Sequence, residues 1–452
     1  MTLSVDISPQ PLSGWGRTAP TTAMVSRPTD TSSIEEALRT ATPGVIARGL
    51  GRSYGDAAQC SGGLTLDLGG LDSIGTIDES SGTIEVGAGA SLHELMRSII
   101  PSGWFVAVTP GTRYVSVGGA IAADVHGKNH HRDGSFARHV VEMTIATPMG
   151  TFTVSPDVDP DLFWATAGGM GLTGVVVSAT LRLIPIETSW MLVDSERFTR
   201  LDDLMTTMEA TDDQYRYSVA WLDCFRAGSH RSVLTRGDHA PGDALSDRFQ
   251  GRSREIPGDP RLRVPRSAPR RLVNRMSVRA LNEAWFRASS TAPGSLKPLA
   301  GFFHPLDGVG SWNLLYGPDG FVQYQFGVAP QRGDVVEDAV GAIASSGILS
   351  LIAVLKRFGP GTPGPLSFSQ EGWTLALDFP LGQPGLPALL DRLDDLVAEA
   401  GGRVYLAKDA RLRPELLPVM YPRLADLTAV CRRVDPDGVL ASDLSRRLGI
   451  VR

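Results

Sequence analysis

Cysteine, excess positive charge and long unbroken apolar runs are all scarce in this chain. Only three cysteines occur among 452 residues, Cys60, Cys224 and Cys431, and no two of them form a C-x-x-C pair. Neither a disulfide framework nor a zinc or other metal site is therefore indicated. The net charge of −6 does not suggest a nucleic-acid binder. Residues 1–20 lack a basic segment followed by an apolar core, so no signal peptide is visible.

Two uncharged stretches come near the roughly 20 apolar residues that a membrane-spanning helix needs. Residues 162–181 are interrupted by four glycines, and residues 339–355 by Ser345, Ser346 and Gly347. The second stretch predicts a helix that ends at Gly347 and a strand over residues 348–355. No transmembrane segment is predicted, and the length of the chain predicts two domains.

The segment R-G-L-G-R-S-Y-G-D, residues 48–56, follows a predicted strand over residues 45–47 and holds three glycines in seven positions. Glycine permits positive φ and lets a ligand approach the main chain. Successive bare N–H groups can form a concave nest for anionic oxygens. A phosphate cradle and a glycine-rich hairpin turn explain this segment about equally well. It matches neither the P-loop nor the dinucleotide G-x-G-x-x-G pattern.

A second segment rich in small residues lies some sixty residues further on. It consists of T-P-G-T at 109–112 and S-V-G-G-A-I-A-A-D-V-H-G-K at 116–128. Side chains this small indicate that the backbone itself lies beside a flat ligand. Two such surfaces suit a dinucleotide, one for the pyrophosphate and one for the ring system.

Together the two segments resemble the flavin-binding segments of the vanillyl-alcohol-oxidase (PCMH) type of FAD flavoproteins. The strings V-H-G-K-N-H-H, Y-Q-F, L-D-F-P and Y-L-A-K-D resemble one branch, which oxidises polyprenyl-phosphate-linked ribose. The likeness spans residues 14–448. It implies an α+β, two-domain fold with an FAD-binding domain at 1–186 and an antiparallel-sheet substrate domain at 187–402. Residues 403–452 would return to the FAD domain.

Local patterns predict several individual elements. Two S-x-x-E capping boxes, at Ser33 and Ser91, predict helices through residues 38 and 100. Alternating apolar residues predict strands over 64–68, 83–86, 140–147, 151–154, 175–177, 217–222, 321–326 and 373–379. Helices are predicted over 161–167, 335–345 and 386–400, the last ending before Gly401. The falling glycine density near residue 185 predicts the first domain boundary.

The resemblance implies a set of FAD contacts along the glycine-rich segments, one later strand and one tyrosine. The set is Ala47, Arg48, Gly49, Leu50, Gly51, Arg52, Ser53, Tyr54, Gly55, Asp56, Gly111, Ser116, Val117, Gly118, Gly119, Ala123, His126, Gly127, Val177 and Tyr405. Many flavoproteins of this type carry a histidine bonded to the flavin at the position of Arg52. We therefore predict that FAD is held without a covalent bond.

Oxidation of a secondary alcohol by a flavin needs a group that accepts the hydroxyl proton or stabilises the alkoxide. Lys408 follows an apolar stretch, where partial burial can lower its pKa. A surface lysine paired with Asp409 is the simpler interpretation, but the Y-x-A-K-D match implies a position over the sugar. The resemblance also assigns catalytic roles to His126 and Tyr54. It implies substrate contacts for Lys128, Trp221, Gln323, Gln325, Lys356, Asp378 and Lys408.

The position before L-D-F-P, where the branch often has a cysteine, is Ala376 here. In that branch the thiol is the attachment point for nitroaromatic inhibitors. It takes no part in hydride transfer. We therefore expect turnover without covalent capture by such compounds.

Residues 248–287 form a Pro- and Arg-rich tract with few acids. Its arginines include Arg261, Arg263, Arg266, Arg270, Arg271, Arg275 and Arg279. The first half is expected to be mobile. The second half, 272–286, ends in Trp285 and Phe286, and such a basic helix can lie on an anionic membrane surface. A solvated lid is the alternative.

The resemblance implies oxidation of the 2′-hydroxyl of the lipid-linked ribose to a 2′-keto compound. This would be the first half of an epimerisation to the arabinose donor for cell-wall arabinan, completed by a separate NAD(P)H-dependent reductase. It also implies a position in the cell envelope, peripheral to the plasma membrane and on its periplasmic side. Since no signal peptide is visible, the cytoplasmic side is the alternative. The alternatives are an alditol or aldonolactone oxidase with oxygen as acceptor, and a non-catalytic nucleotide-binding module.

Overall fold

The computed structural model describes residues 7–40, 44–224, 230–256, 258–260, 262–265, 272–289 and 291–450. Helices and mostly antiparallel sheets are intermixed along the chain, which confirms the predicted α+β class. No helix in these ranges is long and apolar enough to cross a membrane.

The first part of the chain builds two sheets. One has the order β1-β2-β4-β3 and the other β5-β9-β7-β8, with β6 also paired to β9. Their strands are β1 (Ser8–Leu12), β2 (Thr21–Ser26), β3 (Val45–Arg48), β4 (Leu64–Asp67), β5 (Thr83–Gly87), β6 (Trp104–Val106), β7 (Val140–Thr147), β8 (Gly150–Val154) and β9 (Val175–Pro185). The helices are α1 (Thr31–Thr40), α2 (Leu92–Ile99), α3 (Val117–Ala122), α4 (His130–Asp133) and α5 (Pro160–Thr166).

The next strands build an antiparallel sheet of order β14-β10-β12-β11-β17-β18-β16-β19, while β13 and β15 form a separate parallel pair. The strands are β10 (Trp190–Phe198), β11 (Tyr217–Leu222), β12 (Ser232–His239), β13 (Leu262–Arg263), β14 (Ala292–Pro298), β15 (Val309–Gly310), β16 (Phe321–Val328), β17 (Ala353–Phe358), β18 (Gly372–Pro380) and β19 (Arg403–Val404). Between Pro185 and Trp190 the chain passes from the sheet that contains β9 to the eight-stranded sheet. The domain limits at 186 and 402 stay predictions.

The remaining helices are distributed along the second half of the chain. They are α6 (Leu201–Thr211), α7 (Asp247–Gln250), α8 (Arg275–Ala288), α9 (Leu299–Phe303), α10 (Asp334–Ser346), α11 (Leu386–Glu399), α12 (Leu417–Met420), α13 (Leu424–Val434) and α14 (Asp443–Leu448). Helices α10 and α11 pack on β16 and β18. The predicted apolar stripe of α11, including Leu389, Leu393 and Val397, is buried there. Residues 321–328 of β16 are buried throughout, because helices cover one face and a cavity wall lies on the other.

Two local predictions were wrong. Helix α1 begins at Thr31 because the Asp30 carboxylate, and not the Ser33 hydroxyl, accepts the capping hydrogen bond, here from the Ser33 amide at 2.8 Å. The strand expected over residues 348–355 begins only at Ala353. The Ser91 cap was right, since its hydroxyl accepts from the Glu94 amide at 3.0 Å. Gly347 follows α10 at φ 68°, as a helix stop requires.

In the basic tract, the helix predicted over 272–286 is α8, over Arg275–Ala288. Four of the tract's arginines, Arg261, Arg266, Arg270 and Arg271, lie outside the described residues. The mobility expected for the first half of the tract falls partly on those residues and stays a prediction.

Candidate active site

A cavity of 460 Å³ lies between the glycine-rich segments of the first part and one face of the eight-stranded sheet. Many residues predicted for the site line it: Ala47, Gly49, Leu50, Gly51, Arg52, Ser53, Tyr54, Gly111, Ser116, Gly118, Gly119, Ala123, His126, Gln323, Lys356, Tyr405 and Lys408. The fold thus brings together residues that lie up to 361 positions apart in the chain.

Glycine is required at two points of the small-residue segments, one where the two segments meet and one where the second segment meets Ala88. A Cβ atom on Gly49 would lie 1.9 Å from the Ser116 hydroxyl oxygen, and one on Gly118 would lie 2.9 Å from the Ala88 Cβ. Ser116 is the N-cap of α3 and accepts from the Gly119 amide at 3.3 Å. The cavity wall here is therefore main chain, which suits the anionic and flat parts of a dinucleotide.

Lys408 lies in the wall with its Nζ 5.5 Å from the centre of the Tyr54 ring. Burial lowers the pKa of Lys408 to about 8, while the charge of Asp378 opposes that shift. Among the described residues, none forms a hydrogen bond to this Nζ, which leaves it available to a ligand. Burial raises the pKa of the Tyr54 phenol well above its ordinary value, so Tyr54 stays neutral.

Asp378 lies behind this wall and is held by two side chains. The Tyr316 hydroxyl donates to one carboxylate oxygen at 3.1 Å, and the Gln323 amide donates to the other. Burial raises the pKa of Asp378 to about 6, against the effects of the Gln323 bond and of Lys408. Gln323 reaches the cavity, and its buried Oε1 has no hydrogen-bond partner within the described ranges. This oxygen is an acceptor for which a bound ligand can supply the donor.

His126 is held between an amide and an amine. Its Nε2 lies 3.0 Å from Gln325 Nε2, which also donates to the Thr374 hydroxyl at 2.9 Å, and its Nδ1 lies 3.0 Å from Lys356 Nζ. Burial, followed by neighbouring positive charge, lowers the pKa of both His126 and Lys356 well below their ordinary values. Because Gln325 donates to Nε2, a neutral His126 carries its hydrogen on Nδ1, which faces the Lys356 amine.

Several predicted contacts lie outside the wall. Arg48 bonds to the carbonyls of Ser13 and Ala58, and Asp56 pairs with Arg447. Val176, not Val177, faces the cavity, because side chains alternate along β9. The other predicted contacts that do not line the cavity are Gly55, Val117, Gly127, Trp221, Gln325 and Asp378. Of these, Gln325 bonds to His126 and Asp378 bonds to Gln323, each from behind the wall.

Lys128 is not brought to the cavity, contrary to its predicted substrate contact. Its Nζ donates to the Phe302 carbonyl and lies 4.3 Å from the centre of that residue's ring. Burial lowers the pKa of Lys128 to about 7. The chain has only four lysines, at 128, 297, 356 and 408. Two of them, Lys356 and Lys408, line the cavity, where a side chain that can lose its proton has a use that arginine lacks.

Other wall residues were missed because no local pattern marks them. Trp15 comes from the start of the described chain, and the Arg52 guanidinium lies 4.2 Å from the centre of its ring. Asp307, Val309 and Trp312 come from the connection after α9. Gly171 and Gly174 lie in the glycine run just before β9, and the density of glycines there was the one available signal for them.

Comparison with known proteins agrees with this geometry. A family model described as an FAD binding domain matches residues 22–155. Cytokinin dehydrogenase 10 of Oryza sativa subsp. japonica is 30% identical over 43% of this chain and 38% of its own. The glycine-walled cavity fits the cofactor, and the protein is an FAD-dependent oxidoreductase of the PCMH type, as predicted.

Two relatives cover much more of the chain. Decaprenylphosphoryl-beta-D-ribose oxidase of Mycolicibacterium smegmatis is 42% identical over 97% of both chains. A Streptomyces coelicolor protein described as an uncharacterized protein in the mprA 5′ region is 44% identical over 80% of this chain and all of its own. The chain belongs to the decaprenylphosphoryl-β-D-ribose oxidase family, which confirms the branch indicated by its motifs.

Proposed function

We propose that the protein oxidises the 2′-hydroxyl of decaprenylphosphoryl-β-D-ribose to the 2′-keto compound. The observation that carries the proposal is the 42% identity over 97% of both chains to an oxidase of that name. The half-buried Lys408, whose Nζ has no hydrogen-bond partner among the described residues, supports it, because an alcohol oxidase needs a proton acceptor there.

Each wall residue has a distinct task in this proposal. Bound FAD supplies the acceptor for the hydride that leaves the 2′-carbon. Lys408 Nζ takes the hydroxyl proton, and the neutral Tyr54 ring packs beside it. Gln323 Oε1 accepts a hydrogen bond from a sugar hydroxyl, which satisfies an otherwise orphaned oxygen. His126 holds the Lys356 amine at the cavity surface as a second polar contact for the sugar.

The glycine segments would hold the FAD pyrophosphate through main-chain N–H groups. Arg52, stacked on Trp15, occupies the position where many flavoproteins of this type attach the flavin to a histidine. We propose that FAD is not covalently attached. Acid precipitation should then leave FAD in the supernatant, and a flavin that stays with the pellet would contradict this.

The wider role follows from the same proposal. The 2′-keto product would pass to an NAD(P)H-dependent reductase, which completes the epimerisation to the arabinose donor for cell-wall arabinan. The polyprenyl-phosphate substrate resides in a bilayer, so we place the protein at the periphery of the plasma membrane in the cell envelope. Its position there would be reached without a spanning helix from the described residues.

The test is anaerobic mixing of the FAD-loaded protein with a short-chain prenylphosphoryl-β-D-ribose while the flavin absorbance is followed. Bleaching by this compound, with none by alditols or aldonolactones, is the expected result. Bleaching by the soluble sugars alone would replace the proposal with a soluble-sugar oxidase. Purified protein without flavin absorbance would instead favour a non-catalytic nucleotide-binding module.

We expect the rate of flavin reduction at saturating substrate to rise with pH through about 8. Lys408 acts as a base only when unprotonated, and burial sets its pKa at about 8. Below that pH the rate should fall about tenfold per unit, and above it the rate should level off. Asp378, with a pKa of about 6, is mostly ionised across this window. Stopped-flow absorbance between pH 6.5 and 9.5 measures the profile, and a rate that falls as pH rises would contradict the base role.

A further inference from the structure

Helix α8, Arg275–Ala288, directs an apolar face away from the protein. Met276 is 82% exposed, Leu281 53% and Trp285 48%. Ala280 and Ala284 are exposed as well. Residues three and four apart lie side by side on a helix, so these five side chains form one continuous surface, which we call the α8 apolar face.

Polar contacts hold the opposite side of the helix. Asn282 is buried and donates to Asp223 at 2.9 Å. The Arg231 guanidinium forms ion pairs with Asp223, at 3.0 Å, and with Glu283, at 2.9 Å. Only Val278 is an apolar residue buried from this helix. An ordinary surface helix exposes mainly polar residues, whereas α8 exposes five apolar residues beside its arginines, and its contacts on the other side fix that orientation.

The chain just before α8 packs beside the cavity wall. Val273, two residues before the helix, packs against the cluster of Trp312, Tyr316 and Phe321. Trp312 is itself part of the cavity wall. Arg263 of β13 also lines the cavity, and its neighbour Leu262 is 70% exposed.

We propose that the α8 apolar face docks on an anionic lipid bilayer and brings the cavity to its lipid-linked substrate. This deepens the proposed function and rests on it for the identity of that substrate. The apolar side chains would enter the boundary between headgroups and acyl chains, as interfacial helices do. The exposed Arg279 would meet the anionic headgroups. Arg275 and Arg287, also exposed, lie along the same side, although Arg275 donates to the Gly347 carbonyl and Arg287 pairs with Glu283.

Charge favours a bilayer over a second copy of this chain. In a twofold dimer formed through this face, each arginine row would face its own copy, and like charges would repel. An anionic membrane complements the row instead. The helix carries three arginines and one glutamate in a chain whose net charge is −6, so α8 is more positive than the chain as a whole.

The test is sedimentation of the FAD-loaded, full-length protein with vesicles of phosphatidylcholine, with or without phosphatidylglycerol. The variant is Met276→Ser, Leu281→Ser and Trp285→Ser combined. Its control is Met149→Ser, Phe152→Ser and Val158→Ser, three other exposed apolar residues at the β7–β8 hairpin and just after it. We expect the α8 variant to lower the partition coefficient on anionic vesicles at least about tenfold, and the control to change it less than about twofold.

A second variant tests the charge. Arg279→Gln should weaken binding to anionic vesicles about fivefold and leave binding to phosphatidylcholine unchanged. Equal binding by the wild-type protein and the triple α8 variant, or no binding by the wild-type protein, would overturn the proposal. So would a dimer that the triple variant converts to monomer while vesicle binding stays unchanged.

The enzyme assay separates this inference from the proposed function. The triple α8 variant should reduce its flavin at the wild-type rate with a water-soluble short-prenyl substrate, because none of the three residues lines the cavity. Its rate should fall only with the long-chain substrate embedded in vesicles. Vesicle binding by a protein that no prenylphosphoryl-ribose reduces would overturn the proposed function and support the docking surface.

Discussion

The Lys408→Ala variant is expected to keep its FAD and to lose about 10²–10⁴-fold in the rate of flavin reduction by substrate. The lysine Nζ is the group at the cavity wall placed to take the hydroxyl proton, and alanine leaves no acceptor in its place. The FAD content should be unchanged, because the two glycine segments that would hold the pyrophosphate lie elsewhere in the wall. Flavin absorbance measures the content, and anaerobic stopped-flow mixing measures the rate.

The matched control is Lys297→Ala. Lys297 is one of only four lysines, lies on the edge strand β14 and does not line the cavity. Its loss should leave both the FAD content and the reduction rate unchanged. The pH profile adds a second check, since Lys408→Ala should abolish the rise through pH 8 in any residual activity. A Lys408→Ala enzyme reduced at the wild-type rate would show that another group takes the proton.

The Arg447→Met variant is expected to lower the free energy of unfolding by about 3–5 kcal/mol. Arg447 donates to Asp56 at 2.9 Å and to Asp409 at 2.8 Å, and both carboxylates are buried. Methionine keeps most of the side-chain volume but leaves two buried negative charges without their cation. These two ion pairs join α14 to the end of the glycine-rich segment 48–56 and to the residue after Lys408. The variant should therefore also make the cavity wall around Lys408 less rigid.

Thermal unfolding at one fixed concentration of added FAD measures the effect, since cofactor binding itself shifts the midpoint. Arg423→Met is the matched control. Its pair with Asp426 is exposed on both sides, and such pairs contribute about 0–1 kcal/mol. Equal midpoints for the two variants would show that the Arg447 pairs do not stabilise the fold.

The structure brings the predicted residues to the cavity where the constraint belongs to the backbone of a continuous segment. The glycines at 49 and 118 mark close approaches that any side chain would block, and this constraint is visible in composition alone. Lys128 lies in the same small-residue segment as His126 but points away from the cavity toward Phe302. The two-residue spacing of His126 and Lys128 along the chain does not show which of the two side chains faces a ligand and which faces away.

The amino-acid sequence by itself determined the α+β class, the two glycine-rich walls, the Ser91 cap, the buried stripe of α11 and the flavoprotein family. Each depends on interactions within a few residues or on a motif that is continuous along the chain. Only the tertiary structure decided that Lys356 meets His126, that Arg52 stacks on Trp15, and that Arg447 joins Asp56 to Asp409. These partners lie between 37 and 391 positions apart, and the choice among all possible partners depends on how the sheets and the returning C-terminal segment pack.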